Sequence, residues 1–184
     1  MNNGEAGYRD FLNGDKEGLS DVLNEYREGL ILWLAGFCGS VDTAEDILIE
    51  VLVKLIVKKP VFRGGSSFKT WLYTISGNVA KNYMRDHKMP ATLPIESAEK
   101  AAISDEDMLK SHFRAENAVI VHKGLYRINP EYARVLYLSY FEDFSNGEIA
   151  KIMHKTNRQV ENLLYRAKKS LRAELEKEGF KYEE

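Results

Sequence analysis

Apolar residues recur along this chain at spacings of three and four, and period-two alternation is almost absent, so the pattern predicts an all-α protein. Leu23, Tyr26, Leu30, Trp33, Leu34 and Phe37 share one stripe of a helix from about Ser20 to Phe37, with Gly36 and Gly39 marking its end. Thr43 with Asp46 reads as the cap of the next helix. Its apolar content from Ile47 to Val57 predicts burial on more than one side, and Pro60 stops it. After the RGGSS stretch, Phe68, Trp71, Leu72, Ile75 and Val79 stand at core spacing, and Thr70, Tyr73, Thr74, Lys81 and Arg85 are predicted to face outward. From Pro90 to about Ser104 the periodicity fades into an irregular, acidic linker. The chain is thus expected to form two small helical domains, 1–90 and 105–184, joined by a flexible linker over 91–104.

Beyond the linker the pattern predicts a helix around Asp105 to Tyr126. Asn129-Pro130 then reads as cap and first position of a helix through Phe141. Ser145 with Glu148, and Thr156 with Gln159, each have the form in which a hydroxyl and an acid or amide satisfy the first free N–H groups of a helix. Two short helices in such close succession, separated by His154-Lys155-Thr156, read as a helix-turn-helix. In the second of them Val160, Leu163, Leu164, Ala167 and Leu171 form the buried stripe. Arg158, Asn162, Tyr165 and Lys169 point the opposite way, flanked by Arg166 and Arg172, and this basic face points to DNA.

Composition changes the picture little: 184 residues with 44% apolar and 29% charged content are ordinary for a globular protein. Charge changes it more. The net charge is only −2, yet Lys151 to Arg172 holds six Lys or Arg besides Lys151 against Glu161 alone, and Arg63 to Lys88 holds five against Asp86. Two separate basic patches on a near-neutral chain fit two contacts with one polyanion. The longest apolar run, Leu30 to Phe37, is far short of the roughly 20 residues that span a bilayer, so a cytoplasmic protein without membrane insertion is expected. Cys38 reads as a buried thiol. Asp42, Glu45, Asp46 and Glu50 share one helical face, but acids in a first turn are favoured by the helix dipole and no Glu-x-x-His accompanies them. Neither a metal site, a cofactor nor a catalytic constellation is expected.

Four blocks resemble the extracytoplasmic-function (ECF) group of bacterial sigma factors. FLNGDKEGLSDVLNEYREGL (Phe11 to Leu30) is similar to the family's opening helix, and AEDILIEVLVKLI (Ala44 to Ile56) to the helix that grips the polymerase clamp. FRGGSSFKTWLYTISGNVAKNYMRDHK (Phe62 to Lys88) is similar to the segment that melts the promoter and reads the minus-10 element. Leu125 to Leu171 is similar to the domain that reads the minus-35 element.

The resemblance implies a non-enzymatic protein that binds core RNA polymerase at its clamp and flap, directs it to promoter DNA and helps open the duplex. It implies a minus-10 site of Phe62, Lys69, Tyr73, Asn78, Lys81, Asn82 and Arg85, with Phe62 as aromatic wall and Asn78 as polar reader of an extruded base. At minus-35, Arg158, Gln159 and Asn162 are the base-edge candidates, Arg166, Lys168, Lys169 and Arg172 position the helix on the backbone, and Lys155 and Tyr165 complete the expected site. Asp46, Glu50 and Lys54 are expected at the clamp, because Ile49 stands where family members usually carry Gln. Glu161 departs too, where a basic residue is common. A separate anti-sigma factor is a further expected partner. The rival reading is a two-domain helix-turn-helix regulator that binds duplex DNA without polymerase. Against it stands the Phe62 to Lys88 block, whose interleaved aromatics, bases and amides suit single-stranded DNA.

Overall fold

The computed structural model describes residues 3–89, 121 and 124–177. Within them the elements are α1 (Asn3–Leu12), α2 (Gly18–Cys38), α3 (Val41–Lys58), α4 (Phe68–Asp86), α5 (Pro130–Tyr140), α6 (Asn146–Met153) and α7 (Asn157–Lys177), and no strand occurs among the described residues. The linker and most of the helix expected from Asp105 to Tyr126 lie outside them; 124–127 is helical.

Helix α2 is the centre of the molecule. Its run from Leu30 to Ala35 is at most 2% exposed at every position, as expected for a helix apolar all round. Helices α1, α3 and α4 cover it on three sides and α5 on the remaining one. Gly39, left-handed at φ 68°, ends it, donating its N–H to the Ala35 carbonyl. Helix α1 crosses α2 closely, since a Cβ on Gly18 would collide with the Gly7 carbonyl. Tyr8 then anchors α1, its hydroxyl donating to the Pro60 carbonyl at 2.8 Å and its ring lying 5.2 Å from Trp71.

In the second group, Asn129 caps α5 by accepting from the Glu131 N–H, with Pro130 in the first turn. Ser145 and Glu148 form a reciprocal capping box on α6. Gln159 N–H donates to Thr156 Oγ1 at 3.2 Å, and Thr156 N–H donates to Gln159 Oε1 at 2.8 Å, which starts α7 as expected. The buried stripe is observed, with Val160, Leu164 and Ala167 at 9% exposure or less and Leu163 and Leu171 packed beside them.

Four expectations are corrected. The cap of α3 is Ser40 rather than Thr43 with Asp46: Ser40 is extended and its side chain accepts from the Thr43 N–H. The block Phe11 to Leu30 is broken, because a turn over 13–17 separates α1 from α2 and lets α1 fold back along it. Helix α3 is buried on one side only, through Ala44, Ile47, Leu48, Val51 and Leu55, leaving Ile49, Val53, Ile56 and Val57 between 47% and 66% exposed. Finally, Thr70 and Tyr73 are not outward-facing: they are 1% and 0% exposed, because the α5–α6 corner packs on that face of α4.

Candidate nucleic-acid interface

The face of α7 opposite its apolar stripe is open. Arg158, Asn162, Tyr165, Arg166, Lys168, Lys169 and Arg172 are all exposed, Tyr165 to 74%. Several carry intramolecular partners. Arg172 pairs with Glu176 one turn on at 3.0 Å, and Lys168 sits over the Tyr140 ring at 5.3 Å. Lys155, in the turn before α7, pairs with Glu131 of α5 at 2.8 Å. Gln159 is exposed, but its carbonyl oxygen is engaged in the α7 cap, so its NH2 group is the end left to reach a base. Glu161 is exposed on the same helix. A stripe of cations on one side of a helix-turn-helix can lie in a major groove, with phosphate on either flank.

The α4 residues divide into two sets. Lys81, Asn82 and Arg85 are exposed on the last turns. Lys81 is held below its usual pKa by partial burial and by the neighbouring Arg134 and Lys155 charges, against Glu131, so three cations crowd one place. The other set is engaged by the second group of helices, Tyr73 wholly and Lys69 and Asn78 in part. Tyr73 lies fully inside, 6.2 Å from the Trp33 ring and edge-on to Phe144 at 5.1 Å, and burial together with Glu142 pushes its hydroxyl pKa well up. Lys69 Nζ reaches Glu142 Oε2 at 2.8 Å and the Glu142 backbone carbonyl at 2.9 Å. Asn78 Oδ1 is 2.9 Å from His154 Nε2. Phe62 lies elsewhere, in an aromatic cluster 5.5 Å from both Phe68 and Trp71, so the wall and the reader of the expected base pocket have different partners.

What sequence reasoning missed is the layer that covers this set. Glu142 is 7% exposed and accepts from the Tyr137 hydroxyl at 2.9 Å as well as from Lys69. The Tyr137 hydroxyl also lies 3.1 Å from the Gly29 carbonyl of α2. Gly29 has no room for a side chain, since a Cβ would come within 2.6 Å of both Glu142 Oε1 and the Tyr73 hydroxyl. Thr70 and Ser67 donate to Glu148 Oε1 at 2.9 and 3.2 Å, and Lys151 donates to the Gly65 carbonyl at 3.0 Å. Arg134 stacks on the Phe37 ring at 4.5 Å and donates to the Gly36 carbonyl. No local pattern marks the α4 contacts of Glu142 and His154, whose partners Lys69 and Asn78 lie 73 and 76 residues away.

Helix α3 presents a third surface. Asp46 and Glu50 are exposed and Lys54 half-buried, and beside them runs the apolar row Ile49, Val53, Ile56 and Val57. Glu45, on the same helix, is engaged by Arg27 of α2. Among the described residues no three His, Cys, Asp or Glu side chains are grouped as metal ligands, and no helix is long and apolar enough to cross a membrane.

Residues 22–89 match the family described as Sigma-70 region 2, and residues 120–171 match Sigma-70, region 4. The chain is 27% identical over 164 residues to the RNA polymerase sigma factor YlaC of Bacillus subtilis, covering 88% of this chain and 94% of that protein. It is 29% identical to the RNA polymerase sigma factor SigV of the same organism, covering 87% and 92%, and 25% identical to the ECF RNA polymerase sigma-E factor of Escherichia coli, covering 86% of each. Among solved structures, the sigma factor RpoE of Bartonella quintana, crystallised with the anti-sigma factor NepR, has the same fold, with TM-score 0.63 and 19% identity over 87% of this chain and 98% of that one.

Proposed function

The chain belongs to the sigma-70 family of RNA polymerase sigma factors, in its extracytoplasmic-function group, and from that premise we propose how its three surfaces divide the work. It is a transcription initiation factor that recognises promoters; the duplex-only regulator is not favoured. Residues 1–90 act as the unit that holds the polymerase clamp and reads minus-10, 91–104 as the tether, and 105–184 as the unit that reads minus-35. Core RNA polymerase and promoter DNA are its partners, and an anti-sigma factor is a third.

On α7, Arg158 and Asn162, with the free end of Gln159, read base edges, while Tyr165, Arg166, Lys168, Lys169, Arg172 and Lys155 hold backbone. On α4, Asn78 takes the edge of an extruded base, Lys81, Asn82 and Arg85 hold the displaced strand, and Lys69, Tyr73 and Phe62 support that site. On α3, Asp46, Glu50 and Lys54 frame the exposed apolar row, which supplies desolvation energy where the usual Gln would supply a hydrogen bond. The observation that carries this reading is the pairing of two cation-bearing helical faces, α4 and α7, with an apolar face on α3 that no other described helix covers. Transcription by core polymerase plus this protein across a library of genomic promoters tests it. Discrete start sites above those of core alone are the expected result, and none would overturn the assignment.

A further inference from the structure

We propose that the cleft between α2 and α5 is a binding site for a small amphipathic carboxylate, an aryl or short alkyl acid whose apolar body fills the cleft and whose charge meets Arg134. The apolar core that joins α2 to α5 leaves a cavity of about 190 Å³ at this place, walled by Leu32, Trp33 and Ala35 of α2 and by Leu125, Ile128 and Ala133 opposite them. An apolar cavity of about 150 Å³ admits benzene, so this one has room for a ring with a charged group beside it. Gly36 helps to keep it open, since a Cβ there would meet only Arg134 Cγ, at 3.5 Å. Water is a poor occupant, because it needs about two to four polar partners and the lining offers few. The Asn129 side-chain oxygen is engaged by the Glu131 N–H, and the Tyr137 hydroxyl by the Gly29 carbonyl and Glu142.

What selects an acid is the charge at the edge of the cleft. Arg127 and Arg134 both line it, and no carboxylate does. Arg134 is half-buried; among the described residues it has no ion-pair partner, and its one hydrogen bond goes to the Gly36 carbonyl at 3.3 Å. A guanidinium carries five N–H donors in a fixed fork that matches a carboxylate, so most of that capacity is unused. Burial pulls the Arg134 pKa down, against the opposing pull of Glu131, and a bound anion would offset that cost. Glu131 is itself paired with Lys155 at 2.8 Å, and Lys81 adds a further cation, so three positive charges share one acid. A neutral ring in the cleft would leave the guanidinium desolvated and unpaired. An inorganic anion would pair it and leave the apolar cavity unfilled. A ligand that joins the two properties answers both.

The test is calorimetric titration of the full chain with benzoate, benzyl alcohol, benzylammonium and sulfate, a set that separates ring from charge. Benzoate is expected to saturate one site with a dissociation constant of about 1 mM or below, the alcohol and the ammonium to bind at least about ten-fold more weakly, and sulfate not to saturate. Arg134→Met should lower benzoate affinity to that of the alcohol and leave the alcohol unchanged, a pattern that general loss of structure does not give. Gly36→Leu fills the cleft from α2 and replaces a glycine within a helix, so it should abolish binding at an unchanged or higher melting temperature. Ala133→Phe fills it from α5 and covers the case in which the first variant does not fold. Wild-type heats that do not saturate below about 20 mM benzoate overturn the proposal. So do equal affinities for benzoate and benzyl alcohol, sulfate bound as tightly as benzoate, or a folded Gly36→Leu or Ala133→Phe protein that binds benzoate as the wild type does.

Discussion

Removing the lysine from the buried Lys69–Glu142 pair has a calculable consequence. The two charges are 2.8 Å apart, with side-chain exposures of 31% and 6%. At an effective dielectric constant of about 20 their gross attraction is about 6 kcal/mol, most of it offset by the desolvation of Glu142. Deleting one partner of a fully buried pair costs about 3–5 kcal/mol. Because Lys69 is about a third exposed and the Tyr137 hydroxyl still serves the carboxylate, Lys69→Met is expected to cost about 2–3 kcal/mol. Glu142→Gln is expected to cost less, about 1–2 kcal/mol, since the freed ammonium can turn to water. The double variant then falls short of the sum by at least about 1.5 kcal/mol. Urea unfolding at neutral pH, followed by Trp33 and Trp71 fluorescence, gives all four corners of the cycle. Single-variant losses that add to within about 0.5 kcal/mol would show that the pair is not coupled.

Other outcomes follow from the same geometry. Burial pushes the Glu148 carboxyl up, but hydrogen bonds from Ser145, Thr70 and Ser67 outweigh it and hold the pKa below its ordinary 4.5. Its contribution is therefore present above that value and is lost as pH falls through the lowered one. Acid titration from about pH 5 to about pH 3 should cost the wild type more stability than Thr70→Val, and equal slopes would refute the link. Arg158→Ala should lose sequence discrimination in a minus-35 competition assay. Lys169→Ala should weaken all sequences alike and lower the salt slope by about 0.9, and the reverse pattern would show the roles exchanged. Val53→Gln with Ile56→Gln should weaken core polymerase binding at least about ten-fold at unchanged melting temperature, since both side chains are about half exposed; unchanged affinity would clear α3 of the clamp contact. Trp33 has a buried indole N–H with no partner among the described residues, so Trp33→Phe should cost under about 1.5 kcal/mol against about 3–5 for Trp33→Ala; comparable losses would mean the N–H is satisfied.

Much of what near neighbours set was legible in the sequence, although the Ser40 cap of α3 and the turn over 13–17, equally local, were not. The Ser145–Glu148 and Thr156–Gln159 caps, Asn129-Pro130, the α2 stop at Gly39 and the two faces of α7 depend on residues one to four positions apart, where helical geometry leaves few alternatives. The tertiary structure decided which apolar and which polar faces found a partner. Tyr73 and Thr70 read as solvent-facing because α4 already has a stripe of its own, yet a corner more than 70 residues away closes over them. Ile49, Val53 and Ile56 read as core because they are apolar, yet no other described helix covers that side of α3. Burial is a property of what lies opposite, and only the folded chain sets carbonyls of α2 against Tyr137 and Arg134, and Lys69 against Glu142.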